Sequence, residues 1–186
     1  MKIRFLLVVL VLFISAVSTA ASAQTHPITP KAVQNIEKQV RHQLLMLPYF
    51  TVFDNLAYKV NGYDVTLLGQ VTRPTLRDDA ESVVKRIEGV GKVDNQIEVL
   101  PVSINDDNLR RALYYAIYDY APLQRYALSP QKPIRIIVKN GHVNLEGVVD
   151  SEMDKTLAGV RANGVPGVFS VTNNLLAPPK KAKKKS

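Results

Sequence analysis

Residues 62–71 read GYDVTLLGQV, and residues 141–149 read GHVNLEGVV. Each stretch starts at a turn glycine and then alternates apolar with polar positions, which is typical of a β-strand that buries one face. Each also carries a second glycine near its end, Gly69 in one and Gly147 in the other, 78 positions apart. The two stretches therefore indicate that one structural unit occurs twice.

A second pair of landmarks has the same offset. Gly89 begins GVGKVDNQI and Gly167 begins GVFSVTNNL, again 78 positions apart. Between the landmarks Ala80 corresponds to Ala158, so the register holds without a gap across this part of the unit. Self-similarity at a fixed offset predicts a duplicated structural module.

Each unit has the pattern of a helix, two strands, a helix and a strand. In the first unit, apolar residues recur at helical spacing and Pro74 opens the second helix. In the second unit, Asn105–Asp107 can cap the first helix, and Asp150 or Ser151 the second. The sequence predicts an α+β chain of two tandem αββαβ modules, each with a three-stranded mixed sheet and two helices on one face.

The same patterns divide the chain. We assign residues 1–23 to a signal peptide, 24–30 to a flexible N-terminal segment, 31–101 and 104–177 to two domains, and 178–186 to a disordered lysine-rich tail. A domain of about 70 residues buries a modest share of its surface and is marginally stable alone. We therefore expect the two modules to pack against each other.

The N-terminal residues have the pattern of an export signal. A short cationic start precedes an apolar run, and a small-x-small cleavage site ends at Ala23, before Gln24. The apolar run is shorter than the roughly 20 residues that a membrane-spanning helix needs, and the chain has no cysteine to carry a lipid. We expect cleavage between Ala23 and Gln24 and a periplasmic protein that keeps no transmembrane anchor.

The repeated pattern resembles the BON domain, named from bacterial osmotic-stress and nodulation proteins. It comprises a turn glycine, V-x-L-x-G-x-V, a helix, and G-V-x-x-V-x-N-x-[IL], and residues 69–99 and 147–176 match it best. The resemblance implies a periplasmic, non-catalytic module that is linked to envelope integrity and osmotic stress and binds phospholipid surfaces or other envelope proteins. Many relatives with two copies are lipoproteins, whereas this chain lacks the cysteine that would bear the lipid.

Few residues could support catalysis. The chain has three histidines, namely His26, His42 and His142. None has metal-ligand spacing, and no nucleophile motif occurs. The pairs Asp78-Asp79 and Asp106-Asp107 are explained by first helical turns, where negative charge offsets the helix dipole. Asn95 and Asn173 fall on the inward strand phase, and we expect them to hydrogen-bond to neighbouring backbone. The sequence predicts no enzymatic activity, no metal and no cofactor.

One candidate binding site is a helix over residues 109–120. Its aromatic and basic residues include Arg110, Arg111, Tyr114, Tyr115 and Tyr118. The candidate contacts to a lipid or a partner are Arg110, Arg111, Tyr114 and Tyr118. If Leu109 faces the sheet, Arg110, Tyr114 and Tyr118 face outward, and tyrosine suits a bilayer interface because one end of its ring is apolar and the other wet. Packing of this side against the first module is the alternative.

The second candidate is the tail, whose lysines are Lys180, Lys181, Lys183, Lys184 and Lys185. Each lysine near an anionic membrane surface is worth about 1 kcal/mol, so the tail steers the protein but does not anchor it. A tail that only improves solubility is the alternative. Together these features predict a peripheral protein that binds anionic phospholipid surfaces, or else a periplasmic protein-interaction adaptor without lipid affinity. Export excludes nucleic acid as a partner.

Overall fold

The computed structural model describes residues 29–178. Three sequence assignments lie outside the described residues: the signal peptide of residues 1–23, its cleavage site at Ala23 and Gln24, and the tail from residue 179 onward.

The described part is α+β. Its helices are α1 (Pro30–Leu45), α2 (Pro74–Lys85), α3 (Ile104–Tyr118) and α4 (Glu152–Asn163), with a 3-10 helix at Gln124–Leu128. Its strands are β1 (Asn55–Asn61), β2 (Asp64–Val71), β3 (Val93–Asn95), β4 (Glu98–Val99), β5 (Ile134–Lys139), β6 (His142–Gly147) and β7 (Ser170–Asn173).

The two modules have the same sheet topology. In the first, the central strand β2 pairs antiparallel with β1 and parallel with β3 and β4, which together form one interrupted edge strand. In the second, β6 pairs antiparallel with β5 and parallel with β7. The predicted pair of αββαβ modules with mixed sheets is therefore confirmed, with β4 as the addition in the first.

Helix starts follow local capping chemistry. Ser151 caps α4, as expected, and its side chain accepts a hydrogen bond from the backbone of Asp154. The cap of α3 is Ser103, so the prediction of a cap within Asn105–Asp107 is wrong by at least two residues. Asp106-Asp107 do lie in the first turn of α3. Asp78-Asp79 lie beyond the first turn of α2, because that helix begins at its proline, and their predicted place is wrong.

Each module has its own apolar core. In the first, alternate residues of β2, such as Val65 and Leu67, pack against Val40 of α1 and Val84 of α2. In the second, β5 and β6 present the equivalent face to α3 and α4. The helices therefore cover one face of each sheet, as the alternating strand pattern predicts.

Gly69 in β2 and Gly147 in β6 occupy corresponding positions and have the same structural role in both modules. Gly69 has φ +117° and Gly147 has φ +118°. A Cβ atom at Gly69 would overlap the carbonyl oxygen of Asn55 on the neighbouring strand, and one at Gly147 would overlap that of Pro133. Only glycine therefore permits this close approach of the two strands.

The repeated asparagines join the last strand to the second helix. Asn95 donates from its side chain to the carbonyl oxygen of Arg77 at 3.1 Å, and Asn173 donates to that of Lys155 at 2.7 Å. The oxygen of each amide accepts a backbone N–H two residues on. The expected hydrogen bonds to neighbouring backbone are confirmed.

The modules contact each other at several points, among them the loop before β1 and an ion pair between Lys139 of β5 and Glu98 of β4. The backbone N–H of Ile136 in β5 donates to the carbonyl oxygen of Val52 at 2.9 Å. The guanidinium of Arg135 donates to the carbonyl oxygen of Thr51 at 2.9 Å and lies over the ring of Phe50, 4.3 Å from its centroid. The modules pack together, as their small size predicts.

Candidate functional site

Helix α3 is rotated relative to the sequence prediction. The prediction that Arg110 and Tyr118 face outward is wrong, because both are buried, at 4% and 0% exposure. Leu109, which was expected to face the sheet, is half-buried at the edge of the core. The reason is that long amphipathic side chains can bury an apolar stem or ring when the polar tip reaches an acceptor.

Arg110 and Tyr118 both bind backbone atoms of β5. Arg110 donates from Nη2 to the carbonyl oxygen of Val138 at 2.7 Å, and its Nη1 is paired with Asp107 at 2.5 Å. The hydroxyl of Tyr118 donates to the carbonyl oxygen of Ile134 at 2.7 Å and accepts its N–H at 3.2 Å. Burial raises the pKa of Tyr118 well above its usual range. Both residues therefore hold α3 on the sheet.

Tyr114 faces the first module. Its ring lies edge-on to Phe53, with centroids 6.4 Å apart, and beside Tyr118 at 5.0 Å. The ammonium of Lys132 lies 6.0 Å from the same ring. The alternative considered from the sequence, packing against the first module, is the one that holds for Tyr114.

The outward face of α3 carries a different set of residues. Ile104, Asn108, Arg111 and Tyr115 follow one another at helical spacing and are exposed. Ile104 is 79% and Tyr115 61% exposed, and Val102, just before the helix, is 99% exposed. We call Val102, Ile104, Arg111 and Tyr115 the α3 face. Large apolar side chains in water on one stripe of a helix are typical of a binding surface. Of the four candidate contact residues of this helix, only Arg111 belongs to it, together with Tyr115, which was named from the sequence without an assigned contact.

An open groove of about 650 Å³ borders the start of α3. Its lining includes Leu109 and Phe169, and Phe169 is 76% exposed. The buried carboxylate of Asp106 fixes its floor by accepting the backbone N–H groups of Asn140 at 2.8 Å and Gly141 at 2.9 Å. The groove adds apolar surface beside the α3 face.

One buried carboxylate that sequence analysis missed has a structural explanation. Asp154 accepts hydrogen bonds from Ser151 at 2.7 Å and Tyr126 at 3.0 Å, and it pairs with Arg125 at 2.5 Å. Burial acts to raise the pKa of Asp154, but these hydrogen bonds outweigh it and hold the pKa below its usual range. The cluster ties the 3-10 helix to α4, and no periodic pattern in the sequence could have revealed it.

The two histidines that the structure describes lie apart, each in its own module. His142 bonds to Ser170, Nδ1 to Oγ, at 2.8 Å, and His42 lies on α1. Within residues 29–178, no three side chains of metal-ligating type lie together, and no helix is long and apolar enough to span a bilayer. The tail residues Lys180, Lys181, Lys183, Lys184 and Lys185 lie outside the described residues.

Comparison with known proteins gives one family. The family model described as BON domain matches residues 32–101 and 121–178, more than half of the chain. No curated protein is similar enough in sequence to count as a relative.

Two solved structures are similar to the chain at low identity. One is the C-terminal domain of CdsD, a structural protein of the type III secretion system of Chlamydia trachomatis, at 13% identity and a TM-score of 0.27, covering 76% of this chain and 96% of that one. A second structure of CdsD has 11% identity and a TM-score of 0.28, covering 77% and 93%. TM-scores this low do not support any conclusion about the fold or function of this chain.

Proposed function

The chain belongs to the BON domain family, and from that premise we propose that it is a non-enzymatic envelope protein that binds anionic phospholipid surfaces peripherally. BON domain proteins are envelope-associated and of the periplasmic, osmotic-stress type, and the family is not known for enzymes. The proposal adds the lipid and assigns its contact to the α3 face.

The α3 face is the observation that supports this proposal. Val102 and Ile104 are aliphatic, and Tyr115 carries an aromatic ring that ends in a polar hydroxyl. Aliphatic and tyrosine side chains together are typical of a helix at a membrane interface. Arg111 lies one turn before Tyr115, where its cation can meet lipid phosphates. A helix that inserts such a stripe into the headgroup region lies parallel to the membrane and does not cross it.

The binding energies favour a membrane contact made by two parts, the α3 face and the lysine tail. Full burial of one aliphatic side chain is worth about 1.5–3 kcal/mol, and only part of that is gained at an interface. The five tail lysines add about 1 kcal/mol each near an anionic surface. Neither part alone gives stable residence, whereas the two together match the two-signal rule for peripheral proteins.

Vesicle co-sedimentation tests the proposal. The double variant Ile104→Ser/Tyr115→Ser should lose most binding to phosphatidylglycerol vesicles and leave the fold intact, because both side chains are exposed. The matched control is Met153→Ser/Val160→Ser, which removes two equally exposed apolar residues from α4. Equal losses in the two variants would show that the α3 face is not the contact.

Deletion of residues 178–186 tests the tail separately. We expect weaker binding to anionic vesicles and a smaller dependence of binding on salt, since exposed charges are screened within about 10 Å at 0.1 M salt. Neutral phosphatidylcholine vesicles serve as the control. If neither the intact protein nor the deletion binds any vesicle, the lipid proposal fails and the adaptor function is left as the alternative.

A further inference from the structure

A cleft of about 510 Å³ lies between the two modules, beside the start of α3. The first module contributes Phe53 and Arg73, the connector contributes Val102, and α3 contributes Arg110 and Arg111. The cleft is therefore built by both copies of the repeat. The sequence pattern gives no sign of it, because Arg73 is distant from α3 along the chain.

The cleft has an excess of positive charge. Three guanidinium groups line it, those of Arg73, Arg110 and Arg111, against the single carboxylate of Asp107. That carboxylate is paired with Arg110. Arg111 bonds only to the neutral side chain of Asn108, and in the described part of the chain no carboxylate forms an ion pair with Arg73 or Arg111. Arg73 does lie over the ring of Tyr49, 5.1 Å from its centroid, but that contact leaves its charge, like that of Arg111, without a carboxylate partner among the described residues.

Arg110, which lines the cleft, has one buried donor without a partner in the described part of the chain. Its side chain is 5% exposed, yet the buried Nε has no hydrogen-bond partner among the described residues. Buried donors in folded proteins nearly always have partners. Asp107, which holds Nη1, is 59% exposed on its side chain, so it can turn into water and release that donor at small cost.

The lining indicates the class of ligand. Guanidinium groups match phosphate oxygens because their donors lie in a planar fork. The lining also has an apolar part, formed by Phe53, Leu100 and Val102. A phosphate joined to a less polar group therefore fits the cleft better than a bare inorganic ion.

We propose that this cleft binds the phosphate group of a phosphoester, held between Arg73 of the first module and Arg111 of the second, with Arg110 behind them. A glycerophospholipid headgroup and a soluble phosphate ester offer the same chemistry. The choice of a lipid as the source rests on the proposed function, whereas the phosphate site does not. A ligand that bridges the two arginines also links the two modules.

Isothermal titration calorimetry of residues 24–186 tests the site with two soluble probes, glycerol 3-phosphate and monomeric dihexanoylphosphatidylglycerol. Arg73→Ala and Arg111→Ala should each weaken binding about tenfold or more, the worth of one hydrogen bond to a charged group. Asp107→Asn removes the competing carboxylate and should strengthen binding roughly threefold. The control is Arg86→Ala, which removes an exposed cation at the end of α2, away from the cleft.

The outcomes separate this site from the proposed function. Saturable binding of both probes that depends on Arg73 supports the cleft, even if vesicles do not bind. Vesicle binding by a protein that binds neither soluble probe overturns the cleft and leaves the α3 face as the lipid contact. The cleft is also overturned if Arg73→Ala and Arg86→Ala have the same effect, or if Asp107→Asn weakens binding.

Discussion

The carboxylate of Asp54 accepts two hydrogen bonds from Thr72, one from the backbone N–H at 2.7 Å and one from the hydroxyl at 2.8 Å. Its other oxygen accepts the N–H and the hydroxyl of Thr51, at 2.9 and 2.6 Å. Asp54 is fully buried. It therefore fixes the loop through which the first module contacts the second to the end of β2.

Asp54→Ala should destabilise the protein by about 2–4 kcal/mol, because it leaves several buried donors without an acceptor. Urea unfolding followed by circular dichroism measures the change. Asp78→Ala is the control, since Asp78 is exposed on α2 and should change the unfolding free energy by less than about 0.5 kcal/mol. Similar unfolding free energies for the two variants would contradict this role of Asp54.

The two strand glycines should respond alike to substitution. Gly69→Ala and Gly147→Ala each place a Cβ against a carbonyl of the neighbouring strand at a positive φ, and each should cost at least about 2 kcal/mol. Gly164→Ala is the control, because Gly164 has φ −80° and its nearest neighbour would be 3.7 Å from a Cβ. Thermal unfolding of the three variants decides the point, and a tolerated Gly147→Ala would remove the explanation for the repeated glycine.

The repeat made the fold predictable because each level of the sequence agreed with the next. Three features occur in the same register in both units. They are the alternation of apolar and polar strand residues, the glycine pair Gly69 and Gly147, and the inward asparagine pair Asn95 and Asn173. These features depend on local geometry, which a sequence pattern records directly. The module plan and the asparagine bonds could be predicted from them.

The binding surface could not be predicted as well, because it depends on which face of α3 is buried. Hydrophobic periodicity treats Arg110 as polar and therefore exposed, whereas its guanidinium finds the carbonyl oxygen of Val138 inside the protein. Contacts between modules, such as those of Arg135 with Thr51 and Phe50, join residues with no periodic relation. Only the folded chain brings them together.

Tyr118 should make stability depend on alkaline pH. Burial raises the pKa of its phenol in the folded state, while the unfolded phenol keeps a pKa of about 10. The stability contributed by the neutral phenol is therefore fully present below about pH 10 and is lost as the pH rises above it. Urea unfolding between pH 8 and 11 should show a steeper loss of stability in the intact protein than in Tyr118→Phe.

At neutral pH, Tyr118→Phe should cost about 1–2 kcal/mol, since the carbonyl oxygen and N–H of Ile134 lose a partner. Tyr115→Phe, at an exposed position of the same helix, is the control and should follow the intact protein at every pH. Parallel pH curves for the intact protein and Tyr118→Phe would show that this phenol does not control alkaline stability.

Arg135 should hold the two modules in one orientation. Its guanidinium joins β5 to the loop of the first module, through the carbonyl oxygen of Thr51 and the ring of Phe50. Arg135→Ala removes a hydrogen bond and a cation–π contact, together worth about 1–2 kcal/mol. NMR relaxation should then give different rotational correlation times for the two modules, whereas the intact protein should give a single one.

Arg161→Ala is the matched control, because Arg161 stacks over Tyr120 at 4.8 Å inside the second module alone. If Arg135→Ala still tumbles as one body, the remaining contacts between the modules, such as the backbone bond of Ile136 and the Lys139–Glu98 pair, are sufficient to fix the interface.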